Sequence, residues 1–308
     1  MFLNELKIID SSLATVDKVE LPSLNIRQIG LDVLRLDKIH PIISGNKWFK
    51  LKGHLQMADQ QSASQLITFG GAWSNHIIAT AYAAKIAAIR VTGIIRGEKP
   101  PILSETLREA AGYGMELEFI SRETYASKED PGYLRQLSTR HSGSYIIPEG
   151  GAGAAGVKGS EDILRLIDYK QYSHILCAIG TGTMYLGLAN ALAPQQKLIG
   201  IPVLKGMNNL SAIARDKMPK QEITANCQLN NTYHFGGYAR KSEELLDFMN
   251  NFYHNTLIPS DFVYTGKLFY AALDMVNKDL FPANSRLLLI HSGGLQGNQS
   301  LSPGILDF

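Results

Sequence analysis

The sequence predicts an α/β protein built on mostly parallel sheet flanked by helices, and three observations carry that prediction. Strand-like and helix-like segments alternate along most of the 308 residues, the pattern of repeated βα units. The strands read as short, continuous apolar runs bounded by turn residues, as in strands covered on both faces. Glycine-rich turns follow several of these runs where strand gives way to helix, the place where ligands collect in such folds.

Taken in order, short apolar runs alternate with charges from Ser23 to Asp37, as in edge strands. Ser44-Gly45-Asn46-Lys47 then opens a helix. Gly45 permits a close backbone approach, Asn46 suits the N-cap, and Trp48, Leu51, Leu55 and Ala58 recur as a buried stripe. A strand at 65–69 ends in Gly70-Gly71-Ala72-Trp73, and Ser74-Asn75-His76 begins an Ala-rich helix reaching about Ala88. Strands follow at 91–95, 117–120 and 145–148, with helices capped by Ser104 and spanning 133–140 between them. Glu149 to Gly156 reads as a small-residue loop, and Ser160 as the cap of a helix to Ile167. The strand 174–179 runs into Gly180-Thr181-Gly182-Thr183, followed by a helix at 184–193, a strand at 197–201 and a helix near 208–215. No periodicity is evident from Lys217 to Asn231. Helices at 241–252 and 267–276 precede a final strand, 287–290, ending in His291-Ser292-Gly293-Gly294.

Composition narrows the function. The length allows two lobes or one large doubly wound domain, with 45% hydrophobic and 19% charged residues typical of a globular protein. A net charge of +2, with no basic run beyond Lys47, Lys50 and Lys52, argues against a nucleic-acid surface. Cys177 and Cys227 have no metal or CxxC spacing, so they read as packed small hydrophobes in a reducing cytoplasm. Met1 to Asp17 lacks the charged start and apolar run of a signal peptide, and Gly180 to Thr183 splits the longest apolar window too early for a membrane span. His76 and His291 have no partner at metal-ligand spacing, so no metal is expected.

Four features carry chemistry. Lys47 shares a helix flank with Lys50 and His54, and a like charge nearby favours a neutral, nucleophilic amine; by itself the stretch reads equally as a solvated basic face. Gly180-Thr181-Gly182-Thr183 opens a helix with free N–H groups and two hydroxyls, a phosphate cup in type, although neither GxGxxG nor Gly-Lys-Ser/Thr is present. Ser74-Asn75-His76 offers the same helix-start chemistry to a carboxylate, unless Ser74 is a plain N-cap. Ser292 could give a hydroxyl to a ring nitrogen, and the Tyr264 phenol stands where a loop tip meets the cleft. Pyridoxal phosphate carried by Lys47 requires the lysine, the cup, the carboxylate site and the hydroxyl together. A non-catalytic protein using the two helix starts for a phosphorylated or carboxylated ligand is the alternative.

The series Ser44-Gly45-Asn46-Lys47, Trp73-Ser74-Asn75-His76, Pro148-Glu149-Gly150-Gly151, Gly180-Thr181-Gly182-Thr183, Tyr264-Thr265-Gly266-Lys267 and His291-Ser292-Gly293-Gly294 resembles the D-cysteine desulfhydrase and 1-aminocyclopropane-1-carboxylate (ACC) deaminase family. These are fold-type II pyridoxal-phosphate enzymes related to the tryptophan synthase β-subunit, and the likeness runs roughly from Ser23 to Gly294. The resemblance implies two lobes of twisted, mostly parallel sheet: a large one from 1–49 and 146–308 and a smaller inserted one from 50–145. It further implies that Lys47 carries the cofactor, with Lys50 as a second lysine one turn on. Gly180, Thr181, Gly182 and Thr183 would bind phosphate, Asn75 the phenolic oxygen, and Ser292 the pyridine nitrogen. Ser74, Asn75 and His76 would hold the substrate carboxylate, and Lys47, Tyr264 and Ser74 would form the catalytic set. The implied activity is that of a lyase or deaminase acting on a small amino acid in a cytoplasmic homodimer. Thr265 stands where the deaminases have Glu and His76 where they have Gln, which favours conversion of D-cysteine to pyruvate, ammonia and hydrogen sulfide. Ser292 replaces the threonine usual in desulfhydrases, and ACC deamination on the same scaffold is the alternative.

Overall fold

The computed structural model describes residues 9–217 and 226–308. Its strands are β1 (Thr15–Lys18), β2 (Gly30–Arg35), β3 (Gln65–Gly70), β4 (Arg90–Arg96), β5 (Glu116–Ile120), β6 (Ser144–Ile147), β7 (His174–Ile179), β8 (Lys197–Pro202), β9 (Cys227–Leu229) and β10 (Arg286–His291). Two sheets result. The first has the order β1-β2-β10-β7-β8-β9 and is parallel except for the antiparallel edge strand β1. The second, β5-β4-β3-β6, is wholly parallel. Strands from both ends of the chain thus build the larger sheet, and four consecutive strands between them build the smaller.

The helices are α1 (Pro22–Ile26), α2 (Asn46–Gln60), α3 (Asn75–Ile86), α4 (Glu105–Gly112), α5 (Arg122–Ala126), α6 (Pro131–Arg140), α7 (Ala154–Ser160), α8 (Thr183–Ala191), α9 (Leu210–Lys217), α10 (Glu243–Thr256) and α11 (Thr265–Asn277). They explain the unbroken apolar strands. On β7 and β10, Ile175, Cys177, Leu288 and Ile290 pack on one face with Leu51 and Leu55 of α2. Leu176, Ala178, Leu287 and Leu289 pack on the other with Leu268 and Phe269 of α11. Each such buried aliphatic side chain contributes roughly 1.5–3 kcal/mol.

Several sequence expectations are corrected. The start of the 23–37 segment is not strand: Pro22 sits at the first turn of α1, where its missing N–H costs nothing, and β2 is an interior strand rather than an edge. The Glu149 to Gly156 region contains a 3-10 turn and then α7. Glycines on α2 and α7 are packing devices. A Cβ on Gly53 would lie 2.0 Å from the Ala155 carbonyl oxygen, and one on Gly159 would lie 2.0 Å from that of Phe49, so α2 and α7 meet backbone to backbone. Ser160 caps nothing; its hydroxyl donates to Gly156 O at 2.8 Å, and 161–166 form a 3-10 turn. Within the aperiodic 217–231 stretch, Cys227–Leu229 forms β9, while residues 218–225, like 1–8 of the N-terminal stretch, lie outside the described residues. Among the described residues no helix is long and apolar enough to cross a membrane.

Candidate active site

Lys47 is placed by a backbone contact that only glycine allows. Gly45 has φ +65°, and a Cβ there would lie 1.9 Å from Ser292 O. Gly45 N donates to Leu36 O at 3.0 Å and Asn46 N to Ser292 O at 3.1 Å, stitching the start of α2 to the end of β10. Gly45, not Asn46, is therefore the N-cap. The Asn46 side chain instead engages the lysine, its Oδ1 accepting from Lys47 Nζ at 3.0 Å. The pKa of the Lys47 amine is lowered to about 8, because burial penalises its charge more than the Asp261 carboxylate supports it. Burial, rather than the cationic neighbour expected from the sequence, does this. Lys50 is itself buried, its Cβ 3.0 Å from where a Cβ on Gly151 would stand.

The loop after β10 joins the next elements. Asn75 Nδ2 donates to Gly294 O at 3.3 Å, and a Cβ on Gly294 would lie 3.5 Å from Asp261 Oδ2. Asp261 is fully buried and accepts from the N–H groups of Val263, Tyr264 and Thr265 at 3.0, 2.8 and 2.9 Å. Thr265 Oγ1 donates to Asp261 Oδ2 at 2.7 Å and accepts from Asp261 N at 2.7 Å. A negative charge thus sits at the positive end of α11, though burial still pushes the carboxyl up. Behind the loop, His291 Nε2 donates to Pro259 O at 2.8 Å and Nδ1 accepts from Gly293 N at 3.2 Å. Asp37 Oδ1 lies 3.3 Å from that ring and is held by Arg35 at 2.8 Å.

The cup expected at 180–183 is an open helix start. Gly182 takes φ +82° as N-cap of α8, and the first N–H groups of the helix have no side-chain cap. Thr181 Oγ1 and Thr183 Oγ1 stand 3.0 Å apart. Thr181 Cγ2 lies 3.1 Å from a Cβ on Gly150, and the Tyr264 ring 3.0 Å from one on Gly180. Tyr264 meets Tyr238 edge to face with ring centres 6.1 Å apart, and burial holds its phenol well above the usual range. Lys47, Ser292, Asn75, Tyr264 and the Gly180–Thr183 turn are therefore joined by a continuous chain of contacts.

At the start of α3, Ser74 does act as N-cap, its Oγ accepting from Ile77 N at 3.4 Å. Helix geometry leaves the N–H groups of Asn75 and His76 free for an anion. The His76 side chain does not join them. Thr68 Oγ1 donates its hydrogen to Ile147 O at 3.0 Å, so at 2.7 Å it must accept from His76 Nε2. Nδ1 is then a buried lone pair without a partner. Burial and the charges of Lys47, His54 and Lys50 all oppose a second proton, and an imidazole in that state repels a carboxylate. His76 can serve the cradle only through its backbone.

Asp261, Tyr238, Thr68 and the Asn46 side chain belong to this constellation, and the sequence reading did not reach them. Asp261 had a usable signal: an Asp four residues before a Thr that opens a helix. Tyr238, in an irregular segment, had none.

A buried amine of lowered basicity, an uncapped helix start beside two threonine hydroxyls and the orphaned Asn75 Oδ1 fit a phosphorylated aldehyde that also carries hydrogen-bonding ring substituents. Lys47 would hold the aldehyde, 180–183 the phosphate, and Asn75 and Ser292 the ring edges. Fold and site together define an α/β enzyme of the fold-type II, tryptophan synthase β-like kind. Residues 17–293 match the family described as pyridoxal-phosphate dependent enzyme, and the chain belongs to it. It is 26% identical to a bifunctional D-cysteine desulfhydrase/ACC deaminase, mitochondrial, of Arabidopsis thaliana, over 83% of this chain and 70% of that protein. It is 27% identical to a candidate ACC deaminase of Pyrococcus furiosus, over 94% and 92% respectively. Among solved structures, a homologue of ACC deaminase superposes with TM-score 0.81 at 23% identity, covering 96% of this chain and 95% of that one.

Proposed function

We propose that the chain eliminates the β-substituent of a small amino acid in the manner of a D-cysteine desulfhydrase, yielding pyruvate, ammonia and hydrogen sulfide from D-cysteine. The environment of position 265 carries this reading. The Thr265 hydroxyl already donates its one proton to Asp261 Oδ2 and accepts from Asp261 N, so position 265 has no proton for a neutral ring nitrogen and Ser292 is the group we assign to that edge. A hydroxyl leaves such a ring neutral, which suffices to remove an α-proton and expel a thiolate. Opening a cyclopropane without an α-hydrogen demands a deeper electron sink.

Pyridoxal phosphate, when bound, supplies that sink. The protein's own residues do the rest. The start of α3 receives the α-carboxylate on its open N–H groups. Asn46 Oδ1 orients the Lys47 amine, which in its neutral form takes the α-proton. Tyr264 and Tyr238 wall the cleft beside the cup, and the Asp261 charge moderates how far Lys47 loses basicity.

Deamination of ACC is the second reading, favoured by the buried Asp261 carboxylate close to Gly294. The two are separated by supplying D-cysteine, L-cysteine and ACC to the cofactor-loaded enzyme. Sulfide and pyruvate from D-cysteine alone, abolished by Lys47→Ala, support the first reading; 2-oxobutanoate from ACC at a comparable rate supports the second. The lobe boundaries at 49/50 and 145/146, a homodimer and a cytoplasmic location belong to the same proposal. Light scattering tests the dimer.

A further inference from the structure

Three parallel strands of the smaller sheet end side by side around the carboxylate cradle. β3 lies between β4 and β6. The loop that carries Ser74 is therefore flanked by Arg96, the last residue of β4, and by Glu149, two residues past β6. The Arg96 guanidinium reaches over Gly71: a Cβ there would stand 3.8 Å from Nη2 and meet nothing else. Its Cζ lies 6.0 Å from the centre of the Tyr125 ring. Glu149 is answered by Lys128 at 3.5 Å, whose Nζ stands over the same ring at 5.3 Å. Arg96 has no carboxylate partner among the described residues. Tyr125 is 3% exposed, and burial, then the charge of the Glu149 carboxylate beside its hydroxyl, push the phenol up. Tyr238 is close enough to feel the charges of both Arg96 and Glu149. An exposed guanidinium without a carboxylate partner thus lies over the Tyr125 ring, which is itself packed with Ile67, Phe69 and Ile94, beside the loop that leads to the cradle.

We propose that Arg96 is a specificity-determining residue that receives a second acidic group, borne on the side chain of the amino acid whose α-carboxylate lies at the start of α3. Beside the thiol amino acid proposed above, the further ligand class is a small amino acid with an acidic side chain. A guanidinium presents a planar pair of donors matched to a carboxylate or similar oxyanion, and Arg96 stands over Gly71, three residues before Ser74. Lys128, already paired with Glu149, leaves Arg96 as the available cation. The inference rests on the carboxylate site proposed above.

Isothermal titration calorimetry of the cofactor-loaded enzyme with both enantiomers of aspartate and of alanine tests it. One enantiomer of aspartate should bind about tenfold or more tighter than the matching alanine, the scale of one charge-assisted hydrogen-bonded pair. Arg96→Gln should erase that advantage and leave alanine binding within about twofold, and Arg96→Lys should keep part of it. The proposal is overturned if aspartate binds no tighter than alanine, or if Arg96→Gln leaves the difference intact. It is also overturned if Arg96→Gln weakens both ligands equally, since Arg96 would then serve the α-carboxylate. If alanine binds and aspartate gains nothing, only the role of Arg96 fails; if neither binds, the underlying reading of the site fails with it.

Discussion

Raising the pH through 8 should turn the Lys47 amine from mostly charged to mostly neutral, well before an exposed lysine would change. Burial lowers its pKa from 10.5 to about 8. At pH 7 about one such amine in ten is then neutral, against about one in three thousand at the ordinary value, a gain of ~300-fold in nucleophile. The assay is the rate of reductive methylation at Lys47 in the cofactor-free chain, read by mass spectrometry from pH 6 to 11. A midpoint near 8 is expected. Asp261→Asn removes the charge that supports the ammonium and should move the midpoint lower. The stability sign follows from the same shift. Because the folded value lies below the unfolded one, the buried ammonium opposes folding fully below pH 8, by at most ~3 kcal/mol, and not at all above 10.5. Lys47→Met should therefore stabilise the protein at pH 7 and lose that advantage as pH rises to 10.5. A methylation midpoint near 10.5, or an upward shift in Asp261→Asn, refutes the reasoning.

Further substitutions probe the scaffold. Gly45→Ala forces a Cβ to within 1.9 Å of Ser292 O at positive φ, and should cost about 2–4 kcal/mol in urea denaturation and weaken cofactor retention. Thr265→Glu sets a second carboxylate beside the buried Asp261. A loss of about 3 kcal/mol or more is expected, with no 2-oxobutanoate produced from ACC. Thr68→Val strands His76 Nε2 and Ile147 O and should cost about 1–3 kcal/mol by thermal melting. The freed ring should then show an altered tautomer signature in nitrogen NMR.

Much of the architecture was legible because the fold repeats one local pattern. The strand 174–179 is bounded as its apolar run suggests, and Ser104 caps α4 through Leu107 N as its spacing suggests. What the sequence hid were long-range relations. Gly53 and Gly159 drew no reading because propensity is local, whereas each sits against a distant backbone, at Ala155 and Phe49 respectively. Asn46 looked like a cap because the positive φ of Gly45 and its seat on Ser292 O come from the other end of the chain. The site was legible as residue types, since lysine, threonines and serine at strand ends advertise chemistry. The state of each group was not. Lys47 loses basicity through burial rather than through Lys50, and the inward turn of His76 depends on a threonine in the middle of β3.

At the centre stands the proposal that Lys47 is the covalent anchor of pyridoxal phosphate. The direct measurement is the visible absorbance of the purified, cofactor-loaded protein, followed by borohydride reduction and peptide mapping. A single phosphopyridoxyl label on Lys47, absent in Lys47→Ala, is the predicted result. A label on Lys50 or Lys267, or no visible band at all, would contradict it.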